Sequence, residues 1–260
     1  MTELLLDAPD PYFTHDGGYH VRLASSGADV LAAQRLRHNV FSAEYGATMP
    51  GPDELDRDDY DDRCDHLIVW HQDGGTPPQA VATSRLLPPH SNDAAPRGAG
   101  LDADREFGLM PLERLLNSTV EVSRACVHPD HRSGAPMSLL TGGIARYLHL
   151  TGYRYLLGCA SMDLADGGHN AAAFWDLALT RHLAPAERRC RPRAPIAIGG
   201  LPRTGRPTVP ALLGGFLRLG GKLCGPPGYS EIFHTAEFLV LLDLRDADRR
   251  QLRRYLGRPI

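Results

Sequence analysis

The chain has 260 residues, 42% of them hydrophobic and 23% charged, with a formal net charge of −3. That length and composition exclude a disordered chain and a long multidomain array, and so balanced a charge excludes wholesale coating of nucleic acid. The five cysteines, Cys64, Cys126, Cys159, Cys190 and Cys224, are widely spaced with no Cys-x-x-Cys pair, so neither a zinc site nor a disulfide framework is indicated and a reducing cytoplasm fits.

The opening MTELLLDAPD has no basic n-region, and nowhere does an apolar run approach the ~20 residues that cross a bilayer, so neither export nor a membrane span is expected. Residues 1–18 read as a flexible leader and 19–260 as a single domain, with an extension from about 181 to 260. Tyr19 to Leu23 alternates like a short strand, and Ser25, Ser26 and Gly27 offer caps for a helix from about Ala28 to Tyr45. An acidic loop then leads to two strands, His66 to Trp70 and Gln79 to Leu87, joined across Gly74-Gly75-Thr76-Pro77-Pro78. Residues 88–100 form a Pro/Gly/Ala-rich surface loop, and Thr119 to Val127 is a strand by its Val and Thr content.

Pro136 suits the first turn of a helix, Met137, Leu140, Ile144 and Leu148 follow at helical spacing, and Gly152 closes it. Tyr153 to Ala160 reads as an interior strand and Ala171 to Leu179 as a short alanine-rich helix. Beyond an arginine-rich connection come an apolar helix, Pro210 to Leu219, a turn at 224–228, a strand, Glu237 to Leu244, and a charged helix, Ala247 to Tyr255. The strand, helix and strand over 119–160 imply a parallel pair or its splayed equivalent, so the class is mixed α/β with one central sheet flanked by helices.

Four segments carry more than secondary structure: Leu36-Arg37-His38-Asn39-Val40-Phe41; the Asp58, Asp61 and Asp65 series before His66-Leu67; Ala82-Thr83-Ser84-Arg85-Leu86-Leu87; and Thr119 to Val127 followed by His-Pro-Asp-His-Arg. In this order they resemble the acyl-homoserine-lactone synthases and the related ornithine N-acyltransferases, both of the GNAT-like acyltransferase superfamily. The tail, Gly215 to Tyr229 and then Phe233 to Asp243, is similar to the C-terminus of the ornithine enzymes. The resemblance implies a GNAT-like fold with splayed central strands. It also implies transfer of a fatty acyl group, expected to be 3-hydroxyacyl, from acyl carrier protein to the α-amine of ornithine, the first step of aminolipid synthesis. No cofactor is implied, acyl-acyl carrier protein or acyl-coenzyme A being the donor substrate. The rival readings are a synthase of N-acyl amino acid or lactone signals, an acyl-coenzyme-A-dependent acetyltransferase, and a non-catalytic module that binds acyl carrier or membrane.

Amide formation from a thioester needs a neutral amine and donors for the developing oxyanion, but little acid help, because a thiol with pKa ~8.5 leaves readily as thiolate. Glu121, between apolar Val120 and Val122 in the strand that presents the acyl group in this superfamily, is the candidate base, with a pKa raised by desolvation. The alternative is a solvated position or a structural ion pair. Arg124 points to the opposite face of a regular strand but shares the Glu121 face if a bulge intervenes, and the two form the expected catalytic pair.

The matched motifs imply acceptor binding by Arg37, Phe41, Asp58, Asp61, Asp65, Arg85 and Ser123. Arg85 and Arg124 can fork a carboxylate or phosphate, or form a lattice with aspartates that only ties strands to the acidic loop. Val127, His131, Arg132 and Gly134 fall on the donor side. There Pro136 removes one amide from the turn that cradles a pyrophosphate in the acetyl-coenzyme-A branch, so the single phosphodiester of a carrier's pantetheine arm fits better. No metal ligands are assigned. The helix from Ala171 to Leu179 has no tyrosine to serve as general acid, its Phe174 and Trp175 read as core, and Cys126 reads as a buried strand cysteine rather than a nucleophile.

Charge is distributed in blocks. Between Asp53 and Asp65 eight acids face two arginines, a field expected to draw a cationic acceptor. Between Arg181 and Arg206 seven arginines face Glu187 alone, a candidate dock for acidic carrier protein. With the adjoining apolar helix, the basic block also leaves open a peripheral contact at the inner membrane face of a cytoplasmic protein. No nucleic-acid partner is expected.

Overall fold

A computed structural model describes residues 14–15, 17–46, 53–89, 100–203 and 205–256. Most of the expected leader and of the loop 88–100 therefore lies outside the described residues. Strand pairing begins at Thr14–His15 (β1), ahead of the expected start at Tyr19.

The main sheet is built from β1, β2 (Tyr19–Leu23), β3 (Asp65–His71), β4 (Gln79–Leu87), β6 (Thr119–Val127), β7 (Tyr155–Asp163), β11 (Thr235–Asp243) and β10 (Gly228–Ser230), in that spatial order, with β9 (Lys222–Leu223) also on β11. Neighbours are antiparallel except β6 and β7, which the crossover helix makes parallel. A separate short ladder joins β5 (Phe107–Gly108) to β8 (Arg191–Pro192).

Helix α1 (Gly27–Tyr45) starts where the Ser26 hydroxyl accepts the Asp29 N–H and ends where Gly46 takes a left-handed φ of 60°. Helix α2 (Ala135–Thr151) runs from Gly134, with Pro136 in its first turn, to Gly152 at φ 74°. Helices α3 (His169–Arg181), α4 (Ala211–Leu219) and α5 (Arg249–Leu256) follow.

The period-two alternation of the strands divides the core. Val122, Leu156, Val240 and Leu242 face Leu140 and Ile144 of α2 and Leu213, Phe216 and Leu219 of α4. On the opposite face Leu87, Leu157, Leu239 and Leu241 meet Leu101, Ala103, Phe107 and Leu112 of the segment 101–118. Helix α1 covers the same side further along, through Leu36, Val40 and Phe41 against Cys126 and Ala33 against Ile68 and Trp70. Each such Val, Leu, Ile or Phe side chain, fully buried, contributes about 1.5–3 kcal/mol relative to exposure.

Two irregularities position the site. β6 and β7 pair only from Thr119 to Val122 and from Tyr155 to Gly158, then part. At the fork Gly158 has no room for a side chain: a Cβ there would lie 2.7 Å from both Cγ1 and the carbonyl oxygen of Val122. The second is a bulge, in which the step from Thr83 to Arg85 on β4 matches the step from Ser123 to Cys126 on β6, with Arg124 at φ 51°.

Candidate active site

Where β6 and β7 part, a cavity of about 820 Å³ opens through the sheet. Its wall on the α2 and α4 side is apolar, with Met137, Leu156, Leu213, Phe216, Val240 and Leu242. On the other side it is polar, with Asp102, Glu106, Glu121, Arg124, Cys159, Ser161 and Glu237. The cavity therefore offers a tail and a charged head their own faces of one sheet, joined at the fork.

Glu121 is 2% exposed, and its two carboxylate oxygens accept the backbone N–H groups of Asp102 and Ala103, each at 2.7 Å. Burial, followed by the neighbouring Asp102 charge, pushes its pKa up to about 8 against the pull of those two N–H donors. The bulge brings Arg124 into the same cavity, 5.3 Å over the Phe233 ring. Arg124 Nε lies 3.3 Å from Asp56 Oδ2, and Nη2 lies 3.5 Å from Asp58 Oδ2.

Arg37 and Arg85 are fully buried behind this wall. Arg37 bonds Asp56 at 2.8 Å and Asp61 at 2.6 Å. Arg85 places Nη1 on Asp58 at 2.5 Å and Asp61 at 3.1 Å, Nη2 on Asp102 at 3.2 Å and Nε on the Ser123 hydroxyl at 3.2 Å. Burial would raise the Asp61 pKa, but Arg37 and Arg85 hold it well below the carboxylate range. Three guanidiniums thus face four carboxylates, an ion-pair lattice that ties α1, β4 and β6 to the acidic loop, and of the three only Arg124 lines the cavity.

The expected negative field of the acidic loop is corrected accordingly. Asp56, Asp58 and Asp61 are neutralised by arginines from α1, β4 and β6, so the loop's formal excess does not face the cavity as free charge. Of the acceptor-side candidates, Phe41 and Ser123 line the cavity, whereas Arg37, Asp58, Asp61 and Arg85 stand behind it. Asp65 is elsewhere, accepting the Tyr147 hydroxyl at 2.6 Å.

The donor-side candidates Val127, His131, Arg132 and Gly134 all line the cavity. His131 Nδ1 lies 3.0 Å from the Tyr19 hydroxyl, and burial, then the charges of His71 and His128, lowers its pKa. Arg132 pairs with Glu44 and caps the Val127 carbonyl through Nη2 at 3.2 Å. The Cys126 thiol is pushed up to about 12, chiefly by burial, which keeps it from being a thiolate nucleophile. Phe174 is core, edge-on to Phe238 at 5.0 Å.

Residues of the site not assigned from the sequence are Asp56, Asp102, Glu106 and Tyr45, together with Phe233 and Glu237, which fall within the matched tail. Glu237 carries a readable signal, a lone acid inside the apolar strand Thr235–Asp243; Glu106 carries none. Glu106, Cys159 and Glu237 place one ligand-type atom each within 4.8 Å of one another. In the basic block Arg193 pairs with Asp104 at 2.9 Å, Arg203 with Asp176 at 2.8 Å and Arg188 with Asp243 at 3.9 Å, while Arg181, Arg191 and Arg206 are exposed.

The chain is 33% identical over 240 residues to L-ornithine N(alpha)-acyltransferase of Rhodobacter capsulatus, a match covering 86% of this chain and 90% of that protein. The chain belongs to the L-ornithine N(alpha)-acyltransferase family. The Brucella abortus member is 30% identical over 256 residues, 92% of this chain and 89% of that one. Residues 36–142 match the acetyltransferase (GNAT) domain model. The fold is also that of the acyl-homoserine-lactone synthase LasI, at a TM-score of 0.50 and 14% identity, covering 93% of this chain and 96% of that one. Family and fold together make the protein an N-acyltransferase of GNAT-like architecture. Among the described residues no helix is long and apolar enough to cross a membrane.

Proposed function

We propose that the protein moves a fatty acyl group from an acyl carrier protein thioester to the α-amine of ornithine, the first step of an aminolipid. The observation that carries this reading is the fork itself: an apolar wall for the tail and a buried acidic wall for a cationic acceptor meet beside Glu121. The relatives' printed names supply the acceptor.

In this mechanism Glu121 accepts the proton of the α-ammonium. An ordinary glutamate, near 4.3, lies several pKa units below the α-ammonium of a free amino acid, so the transfer is uphill. A Glu121 raised to about 8 closes most of that gap. The neutral amine attacks the thioester carbonyl, and the β7-facing edge of β6 beyond Val122, released from its ladder by the splay, turns backbone N–H groups to the oxyanion. The thiolate leaves without a protein general acid and takes up the second proton of the nitrogen as the intermediate collapses to the amide. Arg124, steadied by Asp56, Asp58 and Phe233, orients the acceptor carboxylate.

Pro136 in the first turn of α2 lacks the N–H that a coenzyme A pyrophosphate would use, which supports the carrier-bound donor. The exposed Arg181, Arg191 and Arg206 suit an acidic carrier. Helix α4 turns Leu213, Phe216 and Leu219 inward, so these apolar residues pack into the core rather than toward a lipid surface.

Mass spectrometry of products tests this, with ornithine, lysine and S-adenosylmethionine offered together to acyl carrier protein and coenzyme A thioesters. N-acylornithine formed from the carrier thioester is expected. A lactone, or turnover with coenzyme A alone, overturns the reading.

A further inference from the structure

Two acids in the polar wall have no part in the proton transfer. Glu237 of β11 is 3% exposed, and its Oε1 accepts the Thr235 hydroxyl at 2.6 Å. Glu106 joins the same wall from the segment that leads into β5, and its Oε2 is sealed from solvent with no hydrogen-bond partner. The two carboxyl groups and Cys159 approach within 4.8 Å. Burial, then each other's charge in the case of Glu106, raises both pKa values, that of Glu106 to about 7. Arg124 is the cation whose charge reaches both, and it is already engaged by Asp56 and Asp58.

We propose that Glu106 and Glu237 form the subsite for the acceptor's second, non-reacting ammonium, and so select a diamino acid over one with an uncharged side chain. This rests on the amino-acid acceptor proposed above. A primary ammonium has three N–H donors, enough for the orphaned Glu106 oxygen and for Glu237 together. The span fits. Glu121 is paired with Leu157 on β7, and Cys159, beside the acid pair, lies two residues on, about 7 Å along the strand. The two nitrogens of extended ornithine are five bonds, about 6 Å, apart. A transition metal is a poorer occupant: burial raises the Cys159 thiol well above its ordinary value, and two carboxylates with a protonated thiol are a weak ligand set.

The test compares kcat/KM for ornithine and norvaline, the same skeleton without the δ-amine, in the wild type and in Glu106→Gln, Glu237→Gln and the double variant. The wild type is expected to prefer ornithine at least tenfold, and the variants to lower that ratio about tenfold or more, the size of one lost charge-assisted hydrogen bond. A ratio unchanged in folded variants overturns the subsite, as does a ratio that collapses on adding chelator to the wild type. Equal use of both amino acids by the wild type overturns the subsite while acyl transfer to the α-amine stands. Failure to acylate either overturns the acceptor reading itself. If Glu237→Gln does not fold, Glu106→Gln at its half-buried position carries the test.

Discussion

The Glu121 carboxylate holds the backbone N–H of Asp102 at 2.7 Å, while the Asp102 side chain takes Arg85 at 3.2 Å. The candidate base is therefore also the anchor of the segment that carries Asp102 and Glu106 into the cavity. One residue links β6, the buried arginines and the acidic wall, so proton transfer and the shape of the acceptor face are built on the same group.

Replacing Glu121 by Gln should lower kcat by at least a hundredfold, the usual scale of a positioned base, with donor binding changed less than threefold. In the wild type kcat should rise with pH through a group near 8, and that limb should vanish in the variant. Stopped assays from pH 6 to 9.5 read both. An unaltered kcat removes Glu121 as base, and because Gln can accept only one of the two N–H groups, acceptor KM is expected to rise as well.

Stability should fall as pH rises from about 6.5 to 8.5. Glu106, raised to about 7, and Glu121, raised to about 8, hold protons in the folded state that the unfolded chain releases near 4.5. Their favourable term is complete below the unfolded value and is lost as pH climbs through the folded ones, at ~1.4 kcal/mol per pH unit for each proton. Asp61 acts oppositely: its pKa is lowered, so its contribution is present above about 4 and lost in acid. Above about 6.5, where the lowered histidines are neutral in both states, the Gln variants of Glu106 and Glu121 should flatten the fall in unfolding temperature. A slope identical to wild type in both variants refutes the assignment.

Much of this site is legible in residue order, and the reasons it stops are physical. The strand Thr119–Val127 and the helix from Pro136 to Gly152 announce themselves by β-branched content, spacing and termini. The bulge is readable as the geometry that lets Arg124 join Glu121. The placement of the segment 101–118 is not readable: Leu112, Leu115 and Leu116 recur at helical spacing, but its 3-10 turns lack side-chain caps and nothing in their order says that Asp102 and Glu106 meet Glu121. Arg37 and Arg85 are visible as arginines, but their complete enclosure depends on Asp56, Asp61 and Asp102, which arrive from two distant loops.

That enclosure makes the lattice fragile. Arg85→Ala would leave Asp58, Asp61 and Asp102 short of a cation in a buried site, a loss expected to cost about 3–5 kcal/mol. Arg85→Lys should recover only part, since one ammonium cannot span three carboxylates and Ser123 as the guanidinium does. Urea midpoints compared at pH 7 measure this. A midpoint within error of wild type for Arg85→Ala would mean that the lattice is not structural.

The apolar wall makes a prediction that involves none of these charges. Leu213 of α4 is 1% exposed and faces the tail side of the cavity with Phe216 and Leu242. Leu213→Phe adds a ring where a long acyl chain would lie, so kcat/KM should fall at least tenfold for long-chain donors relative to short-chain ones, while KM for the acceptor stays within twofold. Overpacking of this kind costs about 1–3 kcal/mol, so the variant's unfolding midpoint is measured beside the kinetics. Equal loss for all chain lengths would mean that the tail does not run along α4, whereas a selective loss places it between α4 and the forked strands.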